Sequence, residues 1–206
     1  MADKNKIEFG LSHLYFAPLA RATETDGSVK YTYETPVRIE GVQSMTQEAQ
    51  GETSNIYAED MVWFTYTANN GYTGELVFVH FSDAIRETIF KYGKTSDGLL
   101  VERADTQPAE GALLYQCQGD QNKTRHVLYD VTFGNPQVEH KTKEDGIEAT
   151  VVTIPYTAVP IEIASGEQVT KGKCAEGDTA YSKFFTALSA PTLETKQNLE
   201  TKQNRG

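Results

Sequence analysis

Thr46-Gln-Glu-Ala-Gln-Gly-Glu-Thr-Ser-Asn55, then Tyr57-Ala-Glu-Asp60, then Met61-Val-Trp-Phe-Thr-Tyr-Thr67 and Asn70-Gly71: this stretch decides the fold. A polar run of such length inside a compact domain calls for a role, because structureless loops beyond about 12–15 residues are uncommon. It reads as an arm over residues 44–59 that projects from a β-scaffold. Met45, Ile56 and Tyr57 are its only large apolar residues. These three, with the polar Gln47 and Glu52, are the candidate contacts to another subunit.

The flanking sequence is strongly β-patterned. Val62, Phe64 and Tyr66 alternate with Trp63, Thr65 and Thr67, the period of a strand. Asn-Gly is the strongest short hairpin dipeptide. Asn70-Gly71 is therefore expected to fold this strand back onto Tyr72–Phe81, a segment with bulk on both faces and hence central. Ser82 or Asp83 caps a helix running to about Tyr92. Phe81, Ile85, Ile89 and Tyr92 line one stripe of it, and Gly93 ends it as the residue past the cap.

Working outward, strands are expected at Leu11–Leu19, Val29–Tyr33, Val37–Val42 and Leu99–Val101. Ala112–Gln118 and Arg125–Phe133 form a pair, and Ile147–Thr157 is a long β-branched run whose Pro155 demands a bulge or an edge. Asp26-Gly27 and Glu144-Asp-Gly146 are turn signals. Around Tyr181–Leu188, helical spacing and a buried strand fit equally well. The fold class is mainly β, sandwich- or barrel-like, with one flanking helix and one long projecting loop. Residues 1–190 form the domain. Residues 191–206, where Leu193-Glu-Thr-Lys-Gln-Asn198 recurs as Leu199-Glu-Thr-Lys-Gln-Asn204, form a low-complexity tail expected to be disordered.

Composition narrows the function. The chain has 206 residues and a formal net charge of −10, from 29 acidic and 19 basic residues. This balance opposes general nucleic-acid binding, which needs basic residues to neutralise phosphates, and attraction to anionic membranes. No run approaches the roughly 18 apolar residues of a membrane span. The first ten residues contain no apolar signal core, so Cys117 and Cys174 are expected as unbridged thiols.

No catalytic constellation emerges, so no enzyme and no cofactor are expected. Gly93-Lys94-Thr95-Ser96 mimics the end of a phosphate loop, but Thr88 stands where the first glycine belongs and the helix precedes the loop. His13, His80, His126 and His140 show no metal-ligand spacing. Glu59 and Asp60 are adjacent, which on a strand puts them on opposite faces and disfavours a glycosidase pair. A β-sandwich module gripping carbohydrate through Trp63, Tyr66 and Tyr72 is the alternative function.

The order of motifs resembles that of the major tail proteins, or tail tube proteins, of long-tailed, siphovirus-type bacteriophages. It is carried by Tyr57-Ala-Glu-Asp60 before a hairpin, Gly74-Glu-Leu76 leading into strand and helix, and Gly93 after the helix. Thr142-Lys-Glu-Asp-Gly146 then precedes a long strand ending in Ala158-Val-Pro160. The resemblance covers residues 1–190. It implies a structural virion protein whose hexameric rings stack into a tube, with the long loop bridging to the neighbouring ring. It also implies assembly in the host cytoplasm, residence in the virion tail, and tape measure, tail terminator and distal tail proteins as partners. DNA would pass through the lumen without specific binding. An acidic lumen would repel phosphates. Asp130, Glu139 and Glu148, acids in or beside strands with apolar alternate neighbours, are the candidate lumen residues.

Overall fold

The structure, a computed structural model, describes residues 10–25, 29–140, 151–163 and 166–193. Strands β1 (Leu11–Thr23), β2 (Val29–Tyr33), β3 (Val37–Arg38), β4 (Val42–Met45), β5 (Glu48–Gln50), β6 (Thr53–Ala58), β7 (Met61–Thr67) and β8 (Gly71–Phe78) precede helix α1 (Asp83–Thr88). Then come β9 (Gly93–Lys94), β10 (Leu100–Val101), β11 (Gly111–Cys117), β12 (Arg125–Phe133), β13 (Gln137–Glu139), β14 (Val151–Ala158), β15 (Ile161–Glu162), β16 (Gln168–Val169), β17 (Lys171–Cys174) and a 3-10 turn at Tyr181–Lys183. The fold is mainly β, as the alternating sequence requires.

One large antiparallel sheet runs in the order β2-β1-β11-β12-β14-β8-β4, with β3, β5, β13 and β17 paired alongside. β4 at one end of this order comes into contact with β1, so the sheet curls. Because successive side chains alternate between faces, the central strands feed two separate cores. Phe16, Leu113 and Leu128 join Leu76, Phe78, Ile154 and Tyr156 in one, which α1 closes with Ile85 and Ile89. Ala17, Leu114, Val127 and Tyr129 join Ile161, Ile163, Cys174 and Phe184 in the other. Burying a side chain of this size stabilises by roughly 1.5–3 kcal/mol, so the two cores hold the sheet from both sides.

Pro155 resolves as a break between neighbours. β12 pairs β14 up to Phe133↔Tyr156, and β13 takes over at Gln137↔Thr153. Gly134 donates its N–H to the Pro155 carbonyl across the gap (2.8 Å), on the side where proline has no donor of its own. The Ala112–Gln118 and Arg125–Phe133 expectations hold as the β11–β12 ladder. The Asp26-Gly27 and Glu144-Asp-Gly146 turns, the start of the Ile147 run and the repeat beyond Leu193 lie outside the described residues.

Several expectations are corrected. The helix is short. Ser82 caps it as anticipated, its hydroxyl accepting from the Ile85 N–H (3.4 Å), but it ends at Thr88. The left-handed residue after it is Lys91, not Gly93, which instead opens β9. Val37–Val42 is not one strand: only Val37–Arg38 pairs with β1 before the chain crosses to β8. Around Tyr181–Leu188, where helical spacing and a strand fit equally, the chain makes a 3-10 turn, and its partly buried Tyr181, Phe185 and Leu188 cap the second core.

Candidate assembly surface

The polar run is not a loop. Glu48–Gln50 and Thr53–Ala58 are strands, and Asn70-Gly71 is not the turn. The chain turns at Glu59-Asp60, both with positive φ (53° and 61°), and β6 pairs with β7. Two consecutive left-handed residues make the tight turn that matches strand twist, a geometry open to Asp and rare for Glu. The sequence hides it because no glycine marks the place.

The result is one long hairpin in two parts. Its root, β4 and β5 against β8, belongs to the sheet. Its outer part, β6 and β7, pairs only with itself and forms a two-stranded ribbon. At the neck Gln50 faces Gly71 and Thr53 faces Thr67, so Gly51 and Glu52 on one arm stand against Ala68, Asn69 and Asn70 on the other. This extra residue is a bulge, the device that re-aims a strand. A Cβ on Gly51 would lie 2.0 Å from the Ala68 carbonyl oxygen. Gly71 has φ +114° and would strike the Ala158 carbonyl oxygen at the same distance. The glycine of Asn-Gly therefore serves the neck rather than a turn. The Asn69 side chain fixes it by accepting from the Gly71 N–H (3.2 Å).

The ribbon has two unlike faces, set by register. Ile56 lies opposite Phe64, and Ser54 opposite Tyr66, so these share one face. Asn55 lies opposite Thr65, and Thr53 opposite Thr67, on the other. There, the Thr65 hydroxyl donates to Asn55 Oδ1 (2.8 Å), and Thr53 Oγ1 and Thr67 Oγ1 are 3.1 Å apart. Trp63 is the extra residue of a second bulge, between the Ile56↔Phe64 and Tyr57↔Val62 pairs. Ile56, Tyr57, Met61, Trp63, Phe64 and Tyr66 are each more than half exposed. Ile56, Phe64 and Tyr66 share one face, and at roughly 100 Å² apiece they reach the size of the largest apolar patch of a typical monomer, ~300–600 Å².

The candidate contacts divide accordingly. Ile56 and Tyr57 stand on the exposed ribbon, and Glu52 is exposed at its neck. Met45 does not reach outward: it packs against the first core of its own chain. Gln47 turns inward too, accepting at Oε1 from the Tyr115 hydroxyl (3.4 Å). Sequence reading did not place Met61, Val62 and Phe64 at a subunit contact, and it named Trp63 and Tyr66 only as a carbohydrate platform, because this strand was set in the scaffold rather than in the arm. Tyr72, named as a carbohydrate platform with Trp63 and Tyr66, sits at the root under the Lys171 ammonium (4.7 Å from the ring centroid). The three rings therefore do not share one element.

Charge reinforces the picture. From Ile39 to Ile85 the chain has no lysine or arginine, while Glu40, Glu48, Glu52, Glu59, Asp60, Glu75 and Asp83 are acidic. A surface of that sign offers nothing to phosphate groups.

The candidate lumen acids fare unevenly. Glu139 is exposed on β13. Glu148 lies outside the described residues. Asp130 is 3% exposed, and Arg21 Nη2 donates to its Oδ2 at 2.5 Å. It is corrected as a lumen residue: β12 is covered on both faces, with Leu128 in the first core and Val127 and Tyr129 in the second, so alternation sends no residue of its middle outward. Among the described residues no cluster of three or more His, Cys, Asp or Glu could hold a metal ion, and no helix is long and apolar enough to cross a membrane. Cys117 and Cys174 are not bridged, and burial pushes the Cys174 thiol up. Gly93-Lys94 pairs with Leu100-Val101 as a small hairpin, and the Thr95 hydroxyl caps the Leu99 N–H (3.0 Å), which leaves no phosphate cradle.

No protein-family model matches the chain, and no curated protein matches it significantly. Among solved structures it is similar to a component of the PVC sheath-tube complex of an extracellular contractile injection system in its extended state. That likeness has 9% identity, covers 78% of this chain and 88% of that one, and has a TM-score of 0.42. It is also similar to a component of the anti-feeding prophage baseplate (7% identity, 84% and 97% covered, TM-score 0.43). A third likeness is to a component of the tube-terminating cap of that prophage (7%, 85% and 97%, TM-score 0.43). Likenesses this weak fix neither family nor function.

Proposed function

We propose that the protein is a structural subunit that assembles with copies of itself into the tube of a phage-type tail, through stacked hexameric rings along which DNA is ejected. The observation that carries this is the ribbon: a two-faced β-hairpin with six large apolar side chains in solvent, on a body whose own cores are closed. An isolated two-stranded hairpin is marginal in water. Open strand edges and an uncovered apolar face invite a further strand or a packed surface. A second copy supplies both, and repetition around an axis satisfies every copy alike. The motif order in residues 1–190 supports the same reading, with tape measure, terminator and distal tail proteins as further partners.

Within this reading Ile56, Tyr57, Met61, Trp63, Phe64 and Tyr66 make the contact, with Glu52 at its base, and Glu139 remains a lumen candidate. Met45, Gln47 and Asp130 serve the body of the subunit. Of the carbohydrate-binding alternative's three rings, Trp63 and Tyr66 are exposed on β7, whereas Tyr72 packs against the first core under Lys171. Negative-stain microscopy of concentrated protein is the test. Rings or tubes are expected; a monomer at every concentration overturns the proposal.

A further inference from the structure

One arginine serves two carboxylates at the root of the hairpin formed by β1 and β2. Arg21 Nη1 donates to Glu110 Oε2 and Nη2 to Asp130 Oδ2, both at 2.5 Å. Arg21 lies on the outer half of β1, where β1 has left β11 and pairs only with β2, directly opposite Tyr31. Asp130 sits on β12 at the register shift, and Glu110 just before β11. The cluster thus ties the hairpin to the body, beside the Leu19 N–H to Glu110 carbonyl bond (2.8 Å) and the Tyr33 hydroxyl to Tyr129 carbonyl bond (3.0 Å).

The cluster is unbalanced. It holds two acids and one base, and Asp130 Oδ1 is buried without a hydrogen-bond partner. A buried carboxylate oxygen that lacks a donor bears the desolvation of its charge uncompensated.

We propose that Arg21, Asp130 and Glu110 form a pH-responsive clamp on the β1–β2 hairpin, tight when Asp130 is protonated and slack when it is ionised. In the neutral form Oδ2 still accepts from Arg21, and the buried charge is gone. In the ionised form, opening the root admits water to Oδ1 and lets Arg21 settle on Glu110, whose side chain is 44% exposed. The groups facing Asp130 are Arg21 from β1, Tyr33 from β2 and Glu110; Tyr31 faces Arg21. Burial holds the Asp130 carboxyl above the ordinary 3.8, Arg21 opposing and Glu110 adding to the rise. A raised pKa in the closed state means that closure is favoured below the open-state value and loses that support as pH rises through the closed-state one.

Hydrogen exchange of the full chain, read by mass spectrometry from about pH 4 to 8 and corrected for intrinsic rates, tests this. Peptides from β1 and β2 should lose protection several-fold as pH rises, while peptides from β14 hold theirs. Asp130→Asn should keep the acid-side protection throughout. Glu110→Gln should move the wild-type midpoint to lower pH, because a neighbouring negative charge is removed; this arm stands even if Asp130→Asn fails to fold. Protection of β1 and β2 that is independent of pH in the wild type, or a Glu110→Gln midpoint that does not move, overturns the clamp.

Discussion

Ile89 is 2% exposed and lies with Phe16, Ile39 and Ile85 at the seam between α1 and the sheet. The helix has only six residues, too few to persist by propensity, so its stability comes from this seam. Ile89→Ala is expected to cost roughly 2–4 kcal/mol, by lost transfer energy and the cavity left behind. Thermal unfolding measures it; a Tm unchanged from wild type would mean that the helix does not bear on the core. Residues with local jobs were legible in the sequence. Ser82 caps because its hydroxyl sits three residues before a helical N–H, and Ile85 and Ile89 are buried because their spacing puts both on one face. Asp130 was not legible. Its burial follows from the covering of both faces of β12 and its partner is an arginine 109 positions away, and neither leaves a mark in the neighbouring residues.

The long strands β11, β12 and β14 bury most of their apolar residues, whereas every residue of β7 is exposed. Replacing Thr53–Thr67 by a two-residue turn should therefore leave the body folded, with a Tm within a few degrees of wild type, and abolish self-association in sedimentation velocity. Unchanged association would place the contact elsewhere; a collapsed Tm would make the ribbon part of the fold. The sequence showed that an arm leaves the scaffold over residues 44–59 and showed the strand character of Met61–Thr67, but it set that strand in the scaffold. It did not show the partner of that strand. Asn70-Gly71 carries the strongest local turn signal, yet the backbone crowding at Gly51 and Gly71 uses that glycine for the neck. The actual turn is built by Glu59 and Asp60 in conformations that sequence rarely announces. A polar run also proved compatible with strand, because the Thr53–Thr67 and Asn55–Thr65 pairs satisfy one another across the ribbon.

The whole molecule is a doubly covered sheet with an uncovered apolar ribbon and a net charge of −10. The mainly β character of the sheet follows from alternation. The curl of the sheet and the direction of the ribbon depend on long-range pairing and do not. In a ring, one exposed acid per subunit becomes a belt of charge around the axis, and its field adds. Glu139→Lys, on the exposed strand β13, should leave tubes intact and slow DNA ejection most at low salt, where phosphate attraction is least screened. Equal ejection rates at every salt concentration would remove Glu139 from the channel.

Cryo-electron microscopy of the assembled protein tests the central claim most directly. The account predicts sixfold rings in which Ile56, Phe64 and Tyr66 of each subunit are buried against a neighbouring copy. Particles in which the ribbon stays in solvent, or a preparation that holds only monomers at high concentration, would contradict it.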